Sequence, residues 1–261
     1  VVAKVSEGWL VTPASKRALR GRDPASISGG PGDRAATEAA MGSLRERLVE
    51  LQHRLWAEGR RSLLVVLQGI DTSGKDGTIS NVFQGLNPFG LPVTSFKEPT
   101  RDDLAHDFLW RVHARCPGVG EIGVFNRSHY EEVLTVRVHK RVPPEVWRAR
   151  YGHINAFELL LHDSGTTVVK VFLHISKGEQ LKRLEQRLAD PERAWKVQDS
   201  DFVDREVWRE FSHAFDEMLE KTSTDVAPWY VVPSDHKWHR NWAVANILLE
   251  KLEAMDPRPA V

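Results

Sequence analysis

Apolar positions along the chain follow two rhythms. Short unbroken runs, bounded by glycine or polar residues, alternate with longer stretches in which apolar residues recur every three or four positions. The first kind predicts buried strands and the second amphipathic helices. Leu44, Leu48, Leu51 and Leu55 predict a helix from Thr37, which Gly59 stops. The run Leu64 to Leu67 predicts a buried strand, and residues 75–86 the helix after it. NPFG is a turn, LPVTSF a short second strand, and Arg101 to Ala114 a helix carrying Leu104, Phe108 and Val112. Ile122 to Phe125 is a further strand, and Pro143 and Pro144 open a helix that runs to His162. Then come a strand over Thr167 to Ile175, a basic helix over Gly178 to Ala189, and a polar segment over 190–200 interrupted by Pro191. A long helix over Phe202 to Lys221, the strand WYVVP and a helix over Trp238 to Met255 complete the pattern. Strands alternating with helices predict a parallel sheet covered on both faces, a three-layer α/β/α fold. Residues 35–261 form one domain, with a mobile lid around 178–203. Residues 1–34, rich in Gly, Pro, Ser and Arg, read as a loosely ordered arm.

Composition narrows the function classes. The 261 residues carry 36 basic and 36 acidic side chains, which excludes a globally basic nucleic-acid binder. Cys116 is the only cysteine, so neither an intrachain disulfide nor a cysteine metal cluster is available. The apolar runs are too short to span a membrane and the N-terminal stretch lacks a signal-peptide core, so a cytoplasmic protein without membrane or nucleic-acid partners is expected. A homo-oligomer is expected as well. No pattern encodes it, because the helical face over 37–58 can pack on a second subunit or on its own sheet.

Residues 63–78, LLVVLQGIDTSGKDGT, place Gly69, Gly74 and Lys75 at the spacing G-x-x-x-x-G-K between a strand and a helix. That context identifies a phosphate-binding loop. Backbone amides close around phosphate oxygens, the helix N-terminus adds partial positive charge, and Lys75 adds a full one. Asp76 follows Lys75 where many such loops place a Mg²⁺-binding Ser or Thr, and Thr78 would need a shifted geometry to serve instead. Asp71 inside the loop would repel a polyphosphate unless a metal ion lies between them or the carboxylate orients the acceptor. Its other reading is a turn residue bonding its own backbone. The segment Val124 to Glu131, VFNRSHYE, follows a strand and so belongs at the carboxyl edge of the sheet, where α/β folds bind ligands. There Arg127 is a candidate to neutralise a transferring phosphate, and Glu131 and Glu132 restore the charge that Asn126 lacks. In the lid, Leu181, Leu184 and Leu188 form an apolar stripe, and Lys182, Arg183, Arg187, Arg193 and Lys196 make a cationic cover for a polyanion. Trp195, inside the polar segment, is a candidate to contact a base. His236 and His239 lack an acidic neighbourhood and read as non-ligands.

With these segments in view, the chain resembles the family-2 polyphosphate kinases over residues 35–253. The resemblance rests on GIDTSGKDGT, SFKEPT, VFNRSHYEEVLTVRVH, HISKGEQLKRLEQRLADPERAWK and STDVAPWYVVPSDHKWHR. It implies a P-loop kinase fold with a helical lid, and transfer of a terminal phosphoryl group between inorganic polyphosphate and adenine or guanine nucleotides with Mg²⁺ or Mn²⁺. It also implies that Asp71 coordinates metal and activates the acceptor phosphate, and that Arg127 steadies the transferring group. Gly69, Thr72, Ser73, Gly74, Lys75, Asp76, Gly77 and Thr78 would bind phosphate, and Lys182, Arg183 and Arg187 would line the polyphosphate channel. Nucleotide contacts fall to Lys97, Pro99 and Thr100 and to Asn126, Arg127 and Glu131. Many family members have Asp-Arg-Ser where this chain has Asn126-Arg127-Ser128. The Asn-Arg-Ser-His-Tyr-Glu form is similar to the subgroup that acts on both AMP and ADP, with Glu131 a candidate for the acceptor site or its metal. Two alternatives stand beside it: an ATP-dependent nucleotide or small-metabolite kinase of the same fold, and a non-catalytic nucleotide binder.

Overall fold

The computed structural model describes residues 4–259. Six strands form one sheet: β1 (Leu10–Val11), β2 (Ser62–Gln68), β3 (Val93–Ser95), β4 (Ile122–Asn126), β5 (Thr166–His174) and β6 (Trp229–Pro233), in the order β1-β6-β5-β2-β4-β3. All neighbours are parallel except β1, which pairs antiparallel with β6 through Leu10–Tyr230 and Val11–Trp229. The wholly parallel sheet expected from the alternation is thus corrected at one edge. The arm before residue 35 supplies that edge: a 3₁₀ turn over Val5–Trp9 buries Trp9 against His239 and Trp242, and Arg22 donates to the carbonyls of Gly8, Leu10 and Ala18. Its glycines and prolines disguise an ordered packing element as a loose one.

The helices are α1 (Arg34–Glu58), α2 (Lys75–Val82), α3 (Trp110–His113), α4 (Thr135–Val138), α5 (Pro144–Asp163), α6 (Lys177–Leu188), α7 (Asp199–Glu206), α8 (Trp208–Thr222) and α9 (Lys237–Met255). The central strand β2 shows why the sheet is sandwiched. Leu64 and Val66 enter the core under α5 and α8, whereas Leu63, Val65 and Leu67 enter the opposite core under α1 and α9. A strand buried on both faces needs a continuous apolar run, and β2 has one. Asp33 caps α1 by accepting from the Ala36 amide, so the helix starts earlier than its leucine stripe. Two predicted helices are broken. Residues 101–114 divide into a 3₁₀ turn and α3, because Asp103 accepts from the Thr100 amide and hydroxyl and Asp107 from the Leu109 amide, local bonds that compete with the helix ladder. The helix expected over 202–221 divides at Val207 into α7 and α8. No helix among the described residues is long and apolar enough to cross a membrane.

Candidate active site

The site lies at the carboxyl ends of β2 and β4, neighbours in the middle of the sheet. Behind β2 the chain turns through Gly69 (φ 150°) and Gly74 (φ 109°) into α2. A Cβ on Gly69 would stand 2.8 Å from the Leu173 carbonyl oxygen, so glycine is required there. Thr72 adopts a left-handed conformation, φ 67°, as does Arg127 just past β4, φ 60°. Both residues line the same cleft, and the surrounding structure holds their backbone in this sparsely populated conformation. The hydroxyls of Thr72, Ser73 and Thr78 are buried without hydrogen-bond partners. The first amides of α2 have no intrahelical acceptor. Of these, the Thr72 hydroxyl is on the cleft wall, and with the free amides of α2 it is a donor of the kind that an anion satisfies.

Asp71 and Arg127 meet across the cleft, Arg127 Nη2 donating to both Asp71 oxygens at 2.5 and 2.7 Å. Lys75 Nζ lies 3.7 Å from the same carboxylate and donates to the carbonyls of Gly69 (2.6 Å) and Ile70 (3.3 Å). Burial pushes the Asp71 carboxyl up, but Lys75 and Arg127 outweigh it and hold the group below its ordinary value. Burial also pushes the Lys75 ammonium down, against the pull of Asp71. For Arg127 burial again opposes charge, and Asp71 and Glu131 override it, raising the guanidinium. Asp71 and Arg127 are therefore ionised at neutral pH.

The surrounding cleft has a volume of about 740 Å³. Its walls include Gly69, Asp71, Thr72, Gly74, Lys75, Asp76 and Gly77 from the loop, Lys97 after β3, and Asn126, Arg127 and Glu131 after β4. Arg187, Trp195 and Lys196 come from the lid. Asn126 donates to Asp76 at 2.8 Å, a contact that an Asp at position 126 would turn into repulsion. Glu131 is fixed by the Thr135 hydroxyl, and the Gln68 amide, in the orientation that satisfies both its oxygen and its nitrogen, donates to Glu131 Oε1 at 3.2 Å.

Other predicted residues stand elsewhere. Pro99 and Thr100 do not line the cleft, and the Thr100 hydroxyl is engaged by Asp103. Ser73 and Thr78 lie behind the loop surface. Lys182 projects outward and is 66% exposed. Arg183 is buried beneath the loop, donating to the carbonyls of Thr72, Ser73, Ser234 and Asp235 and pairing with Glu179 at 2.8 Å. It cannot line a channel, so its expected role there is corrected to fastening the loop. Gln180 adds a bond to the Asp71 carbonyl at 3.0 Å. The first part of α6 is thus docked on the loop, and Arg187 near its C-terminal end lines the cleft together with Trp195 and Lys196 beyond it.

Sequence reasoning missed several wall residues: Glu98, His139, Arg141, Asp201 and Asp204. Burial pushes the carboxyls of Asp201 and Asp204 up, and the charge of Asp71 adds to this. Among the described wall residues Lys75, Lys97, Arg127, Arg141, Arg187 and Lys196 are matched by Asp71, Asp76, Glu98, Glu131, Asp201 and Asp204. Only a regular spacing would have signalled the missed residues, and they come from three separate segments.

A buried network anchors the Arg127 side of the cleft. Lys170 on β5 donates to Glu158 (2.6 Å), Tyr130 Oη (2.9 Å) and the Thr222 carbonyl (2.6 Å), and Tyr130 donates to Glu158 at 2.6 Å. Burial pushes the Glu158 carboxyl up, yet Lys170 holds it below its ordinary value. Glu158→Gln is expected to cost about 3–5 kcal/mol in urea unfolding, because it leaves the Lys170 charge buried without its counter-ion. A stability equal to wild type would show that the pair is not ionised in the fold.

The family described as Polyphosphate kinase 2 (PPK2) matches residues 32–260. An AMP/ADP-polyphosphate phosphotransferase of Meiothermus ruber is 49% identical over 95% of this chain and 92% of the relative. An ADP-polyphosphate phosphotransferase of Rhodopseudomonas palustris is 43% identical over 80% of this chain and 77% of the relative. The crystal structure of Polyphosphate Kinase 2 from Arthrobacter aurescens TC1 superposes with a TM-score of 0.95 at 41% identity, covering 99% of this chain and 92% of that one. The glycine loop and the strand-end arginine described above thus sit in the fold of those enzymes, and the chain belongs to the polyphosphate kinase 2 family.

Proposed function

We propose that this cleft transfers the terminal phosphoryl group of inorganic polyphosphate to adenine nucleotides, AMP to ADP and ADP to ATP, reversibly. The observation that carries this reading is the meeting of Asp71, Lys75 and Arg127 in one cleft at the end of β2. The relatives' names support the polyphosphate donor and both acceptors. They give no support to the alternative of an ATP-dependent small-metabolite kinase, or to a non-catalytic binder. In the reaction an acceptor phosphate oxygen attacks the end phosphorus of the chain. A new P–O bond forms, the terminal anhydride bond breaks, and the shortened polyphosphate leaves with the electron pair. Both reactants are anions, so positioning and charge compensation dominate the barrier.

The even balance of wall charges supports a divalent cation as part of the reading. A polyanion finds little net attraction in a cleft whose lysines and arginines are equalled in number by carboxylates. Among the described residues no group of three or more His, Cys, Asp or Glu is poised to hold a metal. Mg²⁺ characteristically takes one or two carboxylates plus substrate phosphates, which fits Asp71 as its protein ligand. When bound, Mg²⁺ or Mn²⁺ would neutralise phosphate charge. Arg127 then steadies the transferring group, Lys75 holds its oxygens, and Glu131 faces the acceptor. Arg187 and Lys196 line the channel for the chain.

Trp195 supplies a nucleobase platform. Its ring is 73% exposed on the cleft wall and fixed by an Nε1 bond to the Glu192 carbonyl at 2.9 Å, whereas Phe96, Phe211 and Phe215 on the same wall are buried. Base–aromatic stacking contributes about 1–3 kcal/mol. Trp195→Ala is expected to raise KM for AMP and ADP by roughly tenfold and leave KM for polyphosphate nearly unchanged. A larger effect on the polyphosphate KM would assign Trp195 to the donor side. The reading also includes action in the cytoplasm as a homo-oligomer. The exposed Val93 on edge strand β3, with Phe89 and Trp56 exposed, offers apolar surface for a second copy.

The test is purified protein with Mg²⁺, long-chain polyphosphate and AMP, without ATP. ADP followed by ATP is expected. Product stopping at ADP would restrict the acceptor to the monophosphate. Activity restored only by ATP as donor would overturn the reading.

A further inference from the structure

The phosphate loop rests on two guanidiniums that do not line the cleft, and they differ in one respect. Arg183 has Glu179 as counter-ion at 2.8 Å. Arg240, at the start of α9, has no carboxylate partner among the described residues. Its Nε and Nη2 both donate to Asn241 Oδ1, at 3.1 and 2.8 Å, and its Nη1 donates to the Ser73 carbonyl at 3.3 Å. It is 2% exposed. A Cβ on Gly74 would stand 1.8 Å from Arg240 Nη1, so the guanidinium lies directly against the loop backbone where the loop enters α2.

A buried cation ordinarily has a counter-ion, because leaving it unpaired in a low-dielectric interior is costly. Burial, with the charge of Arg183 adding to it, pushes the Arg240 guanidinium down to about 9. Glycine at position 74 is what lets the charge come this close. We propose that Arg240 is a phosphate-positioning residue, its uncompensated charge lying beneath the loop so that the polyphosphate bound above becomes its counter-ion. The Ser73 carbonyl, drawn back by Arg183 and Arg240 together, keeps the loop's acceptors turned away from the bound anion. The balanced walls of the cleft give this buried charge its weight. It adds positive potential where the wall charges are equal in number. The proposal rests on the reading that the loop holds a phosphate chain.

The test compares wild type, Arg240→Met and Arg240→Gln for melting temperature without ligand, for the melting shift produced by tripolyphosphate with Mg²⁺, and for KM of polyphosphate against salt. Methionine removes both charge and hydrogen bond, and glutamine keeps a donor for Ser73. Both variants are expected to melt at or above the wild-type temperature without ligand. Both should lose most of the tripolyphosphate shift and raise the polyphosphate KM by about tenfold or more. The salt dependence of that KM should become shallower by about one charge. A lowered melting temperature with an undiminished tripolyphosphate shift would make Arg240 purely structural and overturn the proposal. So would a glutamine variant that behaves as wild type, since hydrogen bonding alone would then suffice. If tripolyphosphate fails to shift wild type itself, the phosphate-loop reading falls and the proposal falls with it.

Discussion

Asp71→Asn is expected to lower turnover by about 10³-fold or more, while the KM for polyphosphate stays level or falls. The split follows from charge. Asp71 is a carboxylate inside a phosphate loop, so it repels the donor in the ground state and is useful only if it directs a metal or the acceptor in the transition state. Asparagine keeps the shape, accepts from Arg127 through its carbonyl, and loses both the metal ligand and the repulsion. Steady-state kinetics with polyphosphate and ADP check this, and a near wild-type turnover would remove Asp71 from the mechanism. The residue also sets a pH dependence. Its folded carboxyl sits below its ordinary value despite burial, because Lys75 and Arg127 lie beside it. The stability it contributes is therefore fully present above the ordinary carboxylate range, about 3.9, and is lost as pH falls through the lower folded value. Activity should show no limb from Asp71 between neutral pH and the onset of acid unfolding. A variant with Asn at 71 should lose less stability than wild type on acidification.

Lys75→Met carries an effect of similar size and a different signature. The ammonium is 7% exposed and, without a ligand, is satisfied by the Gly69 and Ile70 carbonyls. Methionine matches its length without charge, so kcat/KM is expected to fall by about 10³-fold, with loss of polyphosphate binding as well as turnover. The ligand-free protein should not be destabilised in proportion. Burial lowers the folded lysine below its ordinary value, so wild type gains stability as pH rises through that lowered value toward the unfolded one. The methionine variant should lack that alkaline gain, a difference that thermal melts at rising pH, up to the ordinary lysine value of about 10.4, would detect. Bound phosphate reverses the sign in wild type by favouring the charged form. A methionine variant that retains the tripolyphosphate melting shift would place the phosphates elsewhere.

These effects depend on features of unequal legibility. The glycine loop, its strand and its lysine can be read from contiguous residues, because their geometry is set by local backbone chemistry: an apolar run, two glycines in left-handed conformations, and a helix start. The strand-end arginine can be read for the same reason. Residues that act through tertiary placement cannot. Arg183 sits on a basic amphipathic helix beside Lys182 and Arg187, and composition gives no sign that one of the three turns inward under the loop while another turns to water. Arg240 is separated from Gly74 by 166 positions, and nothing in its neighbours marks a buried, unpaired charge. The carboxylates that neutralise the cleft come from the loop, the segment after β3, the segment after β4 and α7, four places with no shared motif. The antiparallel edge was hidden because a two-residue strand has too little sequence to show alternation. The family resemblance implies nucleotide contacts at Pro99 and Thr100, and the turn closed by Asp103 carries them off the wall.

The most direct test of direct transfer between polyphosphate and nucleotide is a phosphorus balance by ³¹P NMR. Purified protein, Mg²⁺, polyphosphate of defined length and ADP are followed without ATP present. The account predicts one terminal phosphate lost from the chain for every ATP formed, no release of orthophosphate, and conversion slowed by about 10³-fold or more with Asp71→Asn. Orthophosphate accumulating in step with chain shortening would mean that water is the acceptor. Chain length unchanged while ADP disproportionates would mean that polyphosphate is not the donor, and either result would contradict the account.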